Sequence, residues 1–168
     1  MIAKEINHPL FYINNRTPKD FFMKENEYYL QKDNSVTDLW EDSNTVIDRI
    51  LANWDLFKEE IVSLFSARKV TAIKEPMIDG IALFLKFLFL CNHQLVNFHS
   101  FELNIDKLDR KPVNLQERLS FVMNHPQQYH SFIQLSELFS EQRKIYSKYL
   151  AMEKLKQKGV PNTNGSNT

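Results

Sequence analysis

The chain has 168 residues, with 21 basic and 21 acidic side chains and a formal net charge of zero. That balance argues against a protein whose whole surface attracts nucleic acid or anionic lipid, and the length suits one domain that can bury a core without a disulfide or a metal. A single cysteine, Cys91, excludes an internal disulfide, a CxxC pair and any multi-cysteine zinc or iron–sulfur site, which fits a reducing, cytoplasmic compartment.

The N-terminus, MIAKEINHPLFYINN, lacks the apolar run and small-residue cleavage site of a secretory signal. Leu10, Phe11, Tyr12 and Ile13 precede any strong helix, so this segment either packs back on the domain or docks a partner; packing is the expectation. Thr17-Pro18-Lys19-Asp20 reads as an N-cap, a first-turn proline and an acidic third position. It opens a helix carrying Phe21, Phe22, Tyr28, Tyr29 and Leu30. Residues 32–42 read as a loop around Trp40. Ser43 or Thr45 can cap the next helix, which runs to about Lys69. Its apolar residues Val46, Ile47, Ile50, Leu51, Trp54, Phe57, Ile61, Leu64 and Phe65 recur in steps of three and four, forming one stripe.

Next comes GIALFLKFLFLCNH, within a helix predicted over about residues 76–94. A membrane span needs about 20 mainly apolar residues. The run from Ile81 to Cys91 is too short for that and holds Lys86 in its middle. A helix apolar nearly all round belongs instead at the centre of a bundle. Asp79, Lys86 and His93 are spaced by seven, so on a continuous helix they share one line. That line is either a wet seam along which Lys86 reaches solvent, or a polar cleft in which Lys86 meets an acid from another helix; the seam is the plainer expectation. Gly80 could admit a close neighbour, or be an ordinary first-turn glycine.

Asn114 and Glu117 have capping-box spacing at the start of a helix that stops before His125-Pro126. The last helix is predicted from Tyr129 or Ser131 to Lys158. Phe132, Leu135, Leu138, Phe139, Ile145, Tyr146, Tyr149 and Met152 form its apolar stripe; Gln134, Glu137, Glu141, Lys144 and Lys148 form its wet face. The pattern as a whole predicts one all-α domain over residues 6–158, a single bundle of about five main helices around the central one. A polar tail follows at 159–168, with too little apolar content to order itself.

Recognisable chemistry is sparse. Three glycines, two of them in the tail, cannot build GxxxxGK[ST], GxGxxG or GxSxG. Cys91, His93 and His99 could supply three zinc ligands, but Cys91 and His93 point apart on a helix and no HExxH pair exists. No metal, cofactor or catalytic residue is therefore expected, and Cys91 reads as buried packing. Charge is uneven: acids outnumber bases from Arg16 to Glu60, and bases outnumber acids from Glu141 to Lys158. Arg143, Lys144, Lys148, Lys154, Lys156 and Lys158 form a candidate basic surface, with Lys144, Lys148 and a slightly rotated Lys154 within reach of one face.

The segment KPVNLQERLSFVMNHPQQYHSFIQLSELFSEQRKIYSKYL, Lys111 to Leu150, together with HPLFYIN, resembles the YpoC-like family of Bacillus-type bacteria. The family's genes tend to lie near those for a replication-initiation protein and endonuclease III, so the resemblance implies a DNA-processing context; it implies no catalytic residue. The expected function is a non-enzymatic, cytoplasmic protein-interaction or adaptor role with a protein partner and no membrane. The rival expectation is a nucleic-acid-associated accessory protein in replication or repair that uses the basic C-terminal helix.

Overall fold

The structure, a computed structural model, describes residues 1–31 and 42–159. The predicted loop around Trp40 and the predicted polar tail lie outside the described residues, apart from Asp42 and Gly159. Among the described residues there are seven helices and no strand: α1 (Pro18–Phe21), α2 (Met23–Gln31), α3 (Ser43–Ser66), α4 (Lys74–Cys91), α5 (Phe101–Asp106), α6 (Leu115–Asn124) and α7 (Tyr129–Gly159). The all-α bundle is as predicted, and its centre is α4. There Met77, Ile78, Ile81, Phe84, Leu85, Phe87 and Leu88 are fully buried.

The neighbours of α4 follow from their stripes. On α3, Ile47, Ile50, Trp54 and Ile61 are buried; on α7, Phe132, Leu135, Leu138, Phe139 and Tyr146 are. Trp54 stacks on Phe139 with ring centroids 4.3 Å apart and planes 8° apart. Phe139 meets Phe84 edge-on at 5.3 Å, and Tyr146 meets Phe87 at 5.9 Å. The pairs advance together along α4 and α7, so these helices run the same way. Phe65 lies against Phe132 at the other end of α3, so α3 runs opposite to both.

Gly80 sits where these helices converge. A Cβ built there would lie 2.7 Å from Cζ3 of the Trp54 ring and 3.2 Å from a methyl of Leu135. Close approach is therefore its role. Alanine in a helix interior is worth about 0.5–1 kcal/mol over glycine, but overpacking a filled core costs about 1–3 kcal/mol. Gly80→Ala is thus expected to lower the denaturant midpoint despite better helix propensity. A raised midpoint would show that Trp54 yields freely.

Helix ends explain where the expected boundaries moved. Thr17 N–H donates to Asp20 Oδ2 at 2.7 Å, as its capping spacing predicts, and this bond is the main reason the Asp20 carboxyl lies below its usual range. The single helix expected after it breaks at Phe22 (φ −128°, ψ 52°), giving α1 and α2; Phe22 leaves the helical path and is fully buried. Asn114 takes a left-handed conformation and makes no side-chain cap bond, so the predicted capping box does not form. The short α5 lacks a periodic stripe and was not predicted.

The N-terminal segment packs back, as expected, except at Tyr12, which is 50% exposed. Ala3, Ile6 and Phe11 are buried, and Ala3 N–H donates to Asn26 Oδ1 at 2.8 Å. His8 Nδ1 accepts from Leu10 N–H at 3.1 Å, while the ring lies 4.8 Å from that of Phe98. Burial pushes the His8 imidazole below its ordinary 6.5, because charging it among phenyl rings is unfavourable. Protonation would also remove the acceptor for Leu10. The unfolded chain therefore binds this proton more readily, and stability present above pH 6.5 should be lost as pH falls through the lower folded-state value. Thermal melts from pH 7.5 to pH 5 should show a smaller acid loss in His8→Asn than in the wild type; equal losses would remove His8 from the account.

Candidate functional site

The line of Asp79, Lys86 and His93 is dispersed in the fold. Asp79, near the start of α4, accepts both guanidinium arms of Arg16 at 2.7 and 3.1 Å. Glu75 adds a third contact at 3.3 Å, and Asn14 donates to the same carboxylate at 2.8 Å. Arg16 also lies 4.1 Å above the Phe21 ring. The hydrogen bonds that Arg16 donates to Asp79 raise its pKa further. A bidentate guanidinium–carboxylate pair fixes geometry as well as charge, so Asp79 acts as the anchor of the N-terminal segment.

Lys86, half-buried, places its ammonium 5.7 Å from the Phe22 ring centroid. It faces Glu25 of α2, which is buried. Burial raises the Glu25 carboxyl, and the charge of Lys86 opposes that rise.

His93 leaves the line altogether. The predicted helix to residue 94 ends at Cys91, and His93 takes φ 53° beyond it. Gln94 N–H donates to Phe89 C=O at 2.9 Å and His93 N–H to Leu90 C=O at 3.0 Å. This paired closure satisfies the last carbonyls of a helix and needs a left-handed residue at the first position past the cap. The same closure ends α3, where Lys69 N–H bonds Leu64 C=O and Arg68 has φ 56°. His93 then turns its Nε2 to within 3.1 Å of the Tyr149 hydroxyl on α7.

A polar clasp not seen in the sequence holds this end of the bundle. Asn92 Nδ2 donates to the C=O groups of Leu88 at 2.8 Å and Arg110 at 2.9 Å, while its Oδ1 accepts Arg110 N–H at 2.8 Å. Arg110 reaches Cys91 C=O at 2.9 Å and lies 3.9 Å over the Tyr149 ring. Gln142, fully buried, donates to Arg110 C=O at 3.1 Å. Burial pushes the Cys91 thiol up to about 12, against a smaller pull from Gln142. The thiol is protonated at neutral pH and poorly placed for nucleophilic or metal chemistry. No group of three or more metal-binding side chains occurs among the described residues, and no helix among them is long and apolar enough to cross a membrane.

The six basic residues of α7 divide. Arg143 is bound to Asp55 of α3 at 2.6 Å, and Lys156 to Glu153 at 3.4 Å. Lys154 lines a hollow with His93 and Tyr149; at about 100° per residue it is turned about 80° from Lys144 and about 120° from Lys148. It therefore leaves the face expected to hold it. Lys144, Lys148 and Lys158 remain exposed and form no salt bridge among the described residues. Met152, expected in the core stripe, is 50% exposed, and Leu155 is 69% exposed. Seventeen residues past Leu135, the helical step carries Met152 about 100° off the core line. That drift was legible in the spacing. On the predicted wet face, Gln134 and Glu141 are engaged instead by Arg118 of α6, at 3.0 Å for Gln134 and 2.8 and 2.9 Å for Glu141. The far half of α7 presents an outer surface with Lys144, Lys148, Ala151, Met152, Leu155 and Lys158.

The YpoC-like protein family matches residues 44–154. The chain belongs to the YpoC-like family. Within it, uncharacterized protein YpoC of Bacillus subtilis is 34% identical over 116 residues, spanning 68% of this chain and 71% of the relative. That relative's name assigns it no reaction or partner. No solved structure matches. The YpoC-like match takes in α3 through most of α7. Asp79, Lys86, His93, Arg143, Lys144, Lys148 and Lys154 lie inside it; Lys156 and Lys158 lie beyond its end.

Proposed function

We propose that this protein is a cytoplasmic interaction or adaptor protein without a reaction of its own, and that the outer face of the C-terminal half of α7 binds an acidic protein surface. The observation that carries this reading is the pair Met152 and Leu155, 50% and 69% exposed, set among Lys144, Lys148 and Lys158. Large apolar side chains inside a charged rim are the usual anatomy of a protein-binding patch. A phosphate backbone would use the lysines and leave the two apolar side chains without partners. A membrane surface would need more buried apolar area than two side chains supply. The lone, buried Cys91 fits the cytoplasm.

The test is a pulldown from cell extract with the full chain and a folded triple variant, Lys144→Glu, Lys148→Glu and Leu155→Ser. Capture of a defined protein should survive nuclease and be lost with the variant. Nuclease-sensitive capture would favour the nucleic-acid rival, in which binding falls with salt at a log–log slope near about −0.9 per phosphate neutralised. Capture unchanged in the variant would place the surface elsewhere.

A further inference from the structure

The outer face of α3 has the same order of chemistry as that of α7, with the opposite charge. Asp48, Ala52, Leu56 and Glu59 are all exposed and follow each other in helical steps of four, four and three residues. On α7, Lys148, Ala151, Leu155 and Lys158 are likewise exposed, in steps of three, four and three. Such steps keep each set on one side of its helix. Each set reads charge, two apolar or small residues, charge, over about 15–17 Å of helix. Leu56 is 67% exposed. The bases of α3, Arg49 and Lys58, lie off this line.

We infer that a second copy of this chain is a partner of the α7 face, with α3 of one copy lying along α7 of the other. This rests on the reading of the α7 face as a protein-binding surface. Lys148 and Lys158 meet Glu59 and Asp48, and Ala151 and Leu155 lie over Leu56 and Ala52. The pattern reads the same from both ends, so either helix direction satisfies it. Ala52 and Ala151 are small enough to let the two helices approach. Asp55 and Arg143 already pair within one copy, leaving the outer charges to be met from outside. Because each copy carries both faces, a two-fold pair uses each face once and closes. The contact is small and rimmed by exposed charge, so the association is weak, reversible and weakened by salt.

Sedimentation velocity on the full chain tests this. The weight-average mass should rise with concentration up to about 200 µM at about 50 mM salt, and fall back towards the monomer at about 500 mM. Lys148→Glu with Lys158→Glu should raise the dissociation constant at least roughly tenfold, and Asp48→Lys with Glu59→Lys should do the same. An equimolar mixture of the two variants should associate again, since the reversed faces match each other. The inference is overturned if the wild type stays monomeric throughout, if either variant associates like the wild type, or if the mixture fails to recover. A monomeric wild type whose capture of another protein still depends on α7 would end this inference and leave the binding reading intact.

Discussion

Trp54→Ala is expected to cost about 3–5 kcal/mol of stability, the range for removing a buried large aromatic. The indole is 2% exposed. It stacks on Phe139 and lies against Gly80, so it touches both helices that flank its own. Its removal opens a void that α4 cannot fill, because the facing position on α4 is glycine and has no side chain to extend. The cost should therefore sit at the upper end of the range. Chemical denaturation with an unchanged slope would attribute the loss to the native state. A loss below about 1 kcal/mol would mean that α3 and α7 close over the gap, and that the stacked pair is not a keystone of the core.

Leu88→Ala should cost about 2–5 kcal/mol. Leu88 is fully buried one turn before the end of α4, and its backbone carbonyl accepts the Asn92 clasp at 2.8 Å. The substitution removes side-chain contacts and leaves that bond in place, so the loss reports packing alone. A change under about 0.5 kcal/mol would remove α4 from the centre of the core.

The features legible in the sequence are those written in local periodicity. The all-round apolar run of α4, the stripes of α3 and α7 and the Thr17 capping box each need only residues within a few turns. The features that were not legible depend on partners far along the chain. Asp79 looked like one end of a wet line because nothing near it announces Arg16, which lies 63 residues away. Nothing near Gln142 in the sequence announces its burial, which the carbonyl of Arg110 makes possible. His93 stood in helical register until a left-handed closure ended the helix before it, and histidine is not the residue that normally signals such an end. Phe22 broke the first helix for a tertiary reason, the burial of its ring.

Gly80 lies between these cases. The sequence left it as either a place of close approach or, more simply, an ordinary first-turn glycine, and did not say that Trp54 was the neighbour. The basic helix was legible as a charge imbalance. Its division into bound and free lysines was not, since Asp55 and Arg143 are 88 residues apart.

Native-state hydrogen exchange tests the placement of α4 at the centre most directly. The amides of Phe84 to Phe89 should exchange only through global unfolding, with protection equal to the full stability, while those of the last turns of α7, beyond Met152, should exchange orders of magnitude faster. Exchange in α4 as fast as at the end of α7 would contradict the account, because it would make the apolar run a surface element and remove the support on which α3 and α7 are held.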